Sequence, residues 1–246
     1  MSSQLTISAG MPRAGSGWYY NLVHDLVVAS GGKNAREIRE KYYLRNFLTE
    51  VNCNVSTLKI QRLLPVFIPT VFGNSFAVKT HAGPTGFSSW LQSRGRLRVI
   101  YIYRDPRAAL LSAYEYGQKG LKQKRDNAFQ QIKTLDDAGE FMRFYVTIWQ
   151  AWSEDERVLL VRYEDLISDY TAEFNRLVDH LRLDIDQQIA YQVLERYSPE
   201  KGEPGQKGTH FSEGQAERFR KIFSPTQLKQ FTRMFEPVLS SMGYAL

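Results

Sequence analysis

The chain has 246 residues, 43% of them apolar and 24% charged, and a formal net charge of +6. That length supports one sizeable core in a single domain spanning 1–246, the balance excludes a fibrous or disordered chain, and the positive charge suits an anionic partner without naming it. One cysteine, Cys53, and four scattered histidines at 24, 81, 180 and 210 exclude an intrachain disulfide and offer no metal-ligand spacing.

In chain order, Leu5 to Ala9 is a short β-prone run that ends at Gly10 and gives way to a cluster of small residues through Gly17. Trp18, Leu22, Val23, Leu26 and Val27 then recur at helical spacing, so the order is strand, small-residue turn, helix. The basic stretch 31–45 predicts a helix that is either solvated surface or a border of a binding pocket. Phe76 to Val78 is a second strand leading into Lys79-Thr80-His81, and Val99 to Tyr103 is a third, followed by Arg104-Asp105-Pro106 and a helix over Ala108 to Tyr116. The segment 117–133, with Lys119, Lys122, Lys124 and Arg125, is either solvated surface or a flap beside a binding pocket. Val158 to Val161 is a fourth strand, ending in Tyr163-Glu164-Asp165. Phe141 to Trp152, Thr171 to Leu181 and Pro225 to Phe235 predict helices, and Pro199 to Gly214 a long loop.

Short, continuously apolar strands separated by helices predict an α/β fold, a three-layer sandwich around a mostly parallel sheet. In such folds ligands bind beyond the carboxyl ends of the strands, where the polar residues above all fall. The first segment lacks a basic leader with an apolar run, and no stretch reaches the roughly 18 apolar residues of a membrane helix. The expectation is a cytoplasmic protein with no membrane partner.

The first turn, Pro12-Arg13-Ala14-Gly15-Ser16-Gly17, is suited to anions, because a helix start leaves N–H groups unpaired and its dipole favours negative charge. Ser16 stands where a Walker A loop needs lysine, which disfavours an ATPase or GTPase, and the dinucleotide pattern GxGxxG is absent from this turn.

At these residues the chain resembles the PAPS-dependent sulfotransferase family, whose donor is 3'-phosphoadenosine-5'-phosphosulfate and whose fold is related to the P-loop nucleotide hydrolases. Met11 to Trp18 matches the family's first motif at Pro12, Gly15 and Trp18, with Arg13 in place of its lysine. Lys79-Thr80-His81 reproduces a second landmark. Arg104 and Ser112, eight positions apart across a strand end and a helix, reproduce a third. Val158 to Leu166 is similar to the family strand ending in Tyr-Glu-Asp-Leu, and Lys207-Gly208 to its Arg-Lys-Gly, with Gln206 replacing the arginine.

The resemblance implies that the turn from Pro12 to Gly17 cradles the 5'-phosphate, that Trp18 and Tyr163 contact adenine, and that Arg104, Ser112, Lys207 and Gly208 hold the 3'-phosphate. It further implies His81 as general base, Lys79 on the transferred sulfonate, and Arg13 in electrostatic support of the leaving phosphate. No metal is required, since basic side chains supply the charge. Arg107 is expected to be solvated, His24 and His180 to be structural, and His210 to have no specific role.

The acceptor is expected to be a small molecule with a hydroxyl, less favourably an amine; Tyr42, Tyr43, Phe47, Phe67, Phe87 and Tyr116 are candidate contacts with it. Arg220, Ser224-Pro225 and Lys229 depart from the family's dimer motif, leaving monomer and homodimer open. Three other readings stay in play: an ATP-dependent phosphotransferase with Asp105 as magnesium ligand, a nucleic-acid-binding protein using the basic stretches, and an inactive scaffold.

Overall fold

The computed structural model describes residues 3–124, 129–199 and 217–246. The first half runs β1 (Leu5–Gly10), α1 (Ser16–Ala29), α2 (Ala35–Lys41), a 3-10 turn at Leu44–Asn46, β2 (Asn54–Val55), α3 (Ile60–Val71), β3 (Phe76–Thr80), α4 (Gly86–Ser93) and β4 (Leu97–Tyr103). The second half continues with α5 (Pro106–Lys122), α6 (Leu135–Ser153), β5 (Val158–Arg162), α7 (Tyr163–Ser168), α8 (Tyr170–Leu181), α9 (Gln187–Arg196), α10 (Phe219–Ile222) and α11 (Pro225–Leu239).

The strands form one five-stranded sheet in the order β2-β3-β1-β4-β5, every neighbouring pair parallel. In β1, Ala9 lies level with Thr80 of β3 and Tyr101 of β4, so these three strands end close together. Alternation along the strands sends side chains to two separate cores. Val99 and Tyr101 join Leu5, Ile7 and Ala9 in a cluster with α5, α6 and α11. Ile100 and Ile102 face the other way, into a cluster with α1, α8 and α9. Helices therefore cover both faces, giving the three layers that the sequence predicts.

Local signals explain most boundaries. Asp105 caps α5 by accepting from the Arg107 N–H at 2.9 Å, with Pro106 at the first helical position, where its missing N–H costs nothing. Thr134 with Asp137, and Ser224 with Gln227, form reciprocal capping boxes at α6 and α11. Sequence reading passes over α3, whose Pro65 and Pro69 argue against a helix. Burial of Leu63, Val66, Pro69 and Thr70 along one side outweighs that penalty. It also passes over α9, a polar helix started by two bonds to the Asp186 carboxylate and buried only at Val193 and Leu194.

Candidate active site

Beyond the carboxyl ends of β1, β3, β4 and β5 lies a cavity of about 370 Å³. Its wall includes Pro12, Arg13, Gly15, Ser16, Gly17 and Trp18 from the first turn, Lys79 and His81 from the end of β3, Arg104 and Ser112 after β4, and Tyr163 after β5. Val51, Asn52, Tyr116 and Phe129 complete it, and no carboxylate lines it among the described residues.

The turn from β1 to α1 is built for close approach. Arg13 and Gly15 have φ of 66° and 77°, left-handed values that are costly for the arginine and natural for the glycine. A Cβ at Gly15 would stand 3.0 Å from the Tyr163 ring, so the glycine also lets that ring seal the turn. Gly15 at the N-cap of α1 brings no side-chain acceptor, and the first turn of α1 carries no acid. Its dipole is left to favour an anion.

The Arg13 guanidinium turns into the cavity, where its Nε donates to Ser112 Oγ at 3.1 Å and it lies 4.4 Å over the Tyr116 ring. Burial, opposed by Tyr116 and reinforced by Arg104, pulls its pKa down. Lys79, buried in β3, is brought down to about 8 by burial and then by the charge of Arg13. Arg104 stacks 4.6 Å from the Tyr163 ring centre, with Glu164 Oε1 3.9 Å from its Nε. Cations that press on one another in this way favour occupation by an anion.

His81 Nδ1 lies 2.6 Å from the Gly10 carbonyl oxygen. A carbonyl only accepts, so Nδ1 carries the proton and Nε2 keeps its lone pair. Burial, followed by the charge of Lys79, holds the imidazole down at about 4 against the pull of the Gly10 bond, so it is neutral near pH 7. Gly10 itself has no room for a side chain, since a Cβ there would come within 2.6 Å of Ile102 Cγ2.

All described site residues that the sequence nominates gather here except Ala14, whose methyl is buried in the core and whose N–H donates to Met11 O at 3.3 Å. Trp18 borders the cavity but is 3% exposed. Its ring stacks 6.0 Å from Tyr170 and its Nε1 donates to Tyr197 O, so much of it is a core residue. Lys207 and Gly208, like Arg125, His210 and most of the predicted loop 199–214, lie outside the described residues.

Arg107 is not solvated. It is fully buried, forks onto Asp105 through Nε and Nη2, and also reaches Thr232 Oγ1 and Ala245 O. That pairing occupies the Asp105 carboxylate and removes the magnesium ligand a phosphotransferase would use there. Among the described residues no group of three or more His, Cys, Asp or Glu could hold a metal, and no helix is long and apolar enough to cross a membrane.

Of the nominated acceptor contacts only Tyr116 lines the cavity. Tyr43 is 88% exposed, while Tyr42, Phe47, Phe67 and Phe87 pack against the core. Val51, Asn52 and Phe129 were not singled out by the sequence, since nothing local marks a loop residue that lines a distant turn. The basic stretch 31–45 is tied to this wall, because Arg36 donates twice to Val51 O and Arg39 Nε to Leu48 O. In 117–133 the first part simply extends α5. His24 and His180 are structural: His24 Nδ1 meets Asp25 while Nε2 accepts from Ala35 N, and His180 Nε2 meets Val99 O.

A parallel α/β sheet with an uncapped helix start and converging cations at its carboxyl edge defines a class of protein whose site is suited to a phosphate-bearing ligand. Sequence comparison narrows this: the sulfotransferase domain matches residues 4–243, and the chain belongs to that family. A rabbit (Oryctolagus cuniculus) amine sulfotransferase is 23% identical over 97 residues, 38% of this chain and 32% of that enzyme. The aligned part thus spans about a third of the curated relative. A mouse sulfotransferase structure superposes with a TM-score of 0.60 at 14% identity, covering 96% of this chain and 84% of the other. A retinol dehydratase structure gives 0.57 at 18% identity, with 96% and 80% covered.

Proposed function

We propose that this chain transfers the sulfonate group of PAPS to the hydroxyl of a small acceptor and releases adenosine 3',5'-bisphosphate (PAP). The observation that carries the reading is the convergence of Arg13, Lys79 and Arg104 with a tautomer-fixed His81 on one cavity wall that, among the described residues, holds no carboxylate. Support also comes from the similar structures, which are described as complexes with PAP, one of them also holding androsterone.

PAPS supplies an activated sulfur whose bond to a phosphate oxygen breaks as the bond to the acceptor oxygen forms. His81 Nε2 takes the hydroxyl proton, which makes the acceptor oxygen nucleophilic. Lys79 neutralises charge on the sulfonate oxygens. Arg13 and the N–H groups at the start of α1 receive the negative charge that collects on the departing phosphate, a task suited to a permanently protonated fork. Arg104 and Ser112 hold the 3'-phosphate and so select the donor. An anion beside Lys79 offsets the charge that lowers His81 and lifts the imidazole toward a range where it accepts a proton more effectively.

The similarity to an amine sulfotransferase keeps amines in the acceptor screen. A cytoplasmic location is part of the proposal, since a chain whose sole cysteine is buried and unpaired needs no oxidising compartment.

Calorimetric titration with PAP, AMP and ATP in magnesium-free buffer tests the reading. It requires PAP to bind best, with Arg104→Ala costing about tenfold or more. Equal or tighter binding of ATP contradicts it.

A further inference from the structure

Behind the turn that carries Arg104, away from the cavity, the segment Gly243–Ala245 is fastened at three successive residues. Arg162 Nη1 donates to Gly243 O at 2.7 Å, and Arg107 Nη2 donates to Ala245 O at 2.8 Å. Between them the Tyr244 hydroxyl donates to Glu164 Oε2 at 2.7 Å. The other oxygen of that carboxylate, Oε1, lies 3.4 Å from the Asp105 N–H and 3.9 Å from Arg104 Nε. The Tyr244 ring is also held edge-on to Tyr103 at 6.3 Å and lies 5.6 Å beneath the Arg162 guanidinium.

These contacts close a ring. Asp105 grips Arg107, Arg107 grips Ala245, Tyr244 grips Glu164, and Glu164 returns to the Asp105 backbone and to Arg104. Backbone bonds on either side fix where Tyr244 stands, and its hydroxyl contributes one contact whose far end faces the arginine of the cavity. The Arg104 side chain is only 13% exposed, so its direction depends on the groups packed around it, the Tyr163 ring and Glu164 among them. Glu164 left without the tyrosine bond would satisfy itself on Arg104 and draw the guanidinium away from the cavity.

We infer that Tyr244 and Glu164 are positioning residues that aim Arg104 at the 3'-phosphate of the nucleotide, so that a residue outside the cavity sets the preference for a 3'-phosphorylated donor. This rests on the proposed role of Arg104. It assigns donor selection to a second layer of side chains, and the hydroxyl of Tyr244 is the part that can be removed without disturbing the backbone anchors.

The test is titration of wild type, Tyr244→Phe, Glu164→Gln, Arg104→Ala and the double variant Tyr244→Phe/Arg104→Ala with PAP and with AMP, which lacks the 3'-phosphate. Thermal melting of each variant reports folding. The inference requires Tyr244→Phe and Glu164→Gln to weaken PAP about threefold to tenfold and to leave AMP unchanged. It also requires the effect of Tyr244→Phe to vanish in the Arg104→Ala background, because a residue acting only through Arg104 has nothing left to aim.

Wild type that prefers PAP over AMP, with Tyr244→Phe neutral, equally harmful to both ligands, or still effective without Arg104, overturns the inference and leaves the proposed function standing. Wild type that binds PAP no better than AMP overturns the function itself.

Discussion

Arg104 and Arg107 sit three residues apart in one turn and do opposite work. Arg107 is sealed behind the sheet edge, its guanidinium shared between the Asp105 carboxylate, a threonine hydroxyl and a backbone carbonyl. Arg104 faces a cavity wall that, among the described residues, carries two further cations and no carboxylate, with the acid Glu164 behind it at 3.9 Å. A satisfied buried ion pair holds the turn in place, while the cation beside it borders the cavity, where the proposed function needs it for the nucleotide. The two regions separate stability from binding within four residues of sequence.

The sharpest way to break this comparison is to remove the partner on each side. Asp105→Ala leaves Arg107 buried with its charge uncompensated, and urea denaturation should show a loss of about 3–5 kcal/mol. Arg104→Ala leaves that ion pair intact and removes a longer 3.9 Å contact with Glu164 and the stack on Tyr163, so it should cost less stability than Asp105→Ala while still abolishing the preference for PAP. Equal destabilisation by both substitutions would erase the distinction.

Acid should expose the same division. His81 is held at about 4 in the folded chain against an ordinary 6.5, so between these values the unfolded chain binds more protons. Stability therefore falls as the pH drops from 6.5 to 4, by about 1–3 kcal/mol from this group, and His81→Gln should flatten that slope. The smallest expected effect lies at Tyr116, 4.4 Å beneath Arg13. Tyr116→Leu removes the cation–π contact and should lower the melting transition by the equivalent of about 1 kcal/mol.

Much of the fold was legible because its signals are local. The apolar runs at Leu5 to Ala9, Val99 to Tyr103 and Val158 to Val161 each become a strand, the last only half-buried, and each is followed by its polar residues. Parallel order then brings those strand ends together, which is why most of the turn from Pro12 to Trp18 meets Lys79, His81, Arg104 and Ser112 although nothing in their spacing states a distance.

What sequence reading missed depends on distant partners. Arg107 is internal because Thr232 and Ala245 reach it, and Trp18 is mostly core because Tyr170 and the Tyr197 carbonyl enclose it. Val51 and Asn52 carry no motif, and become part of the wall only when Arg36 fastens their loop.

The central claim is that His81 deprotonates an acceptor beside a bound sulfonate donor. The most direct measurement follows PAP release from PAPS, without magnesium, across a panel of small alcohols and amines for wild type and His81→Ala. Acceptor-dependent release by wild type, lowered about 100-fold or more in His81→Ala with PAP affinity retained, is the predicted result. Release that is unchanged in His81→Ala, or no release with any acceptor by a chain that binds PAP, would contradict it.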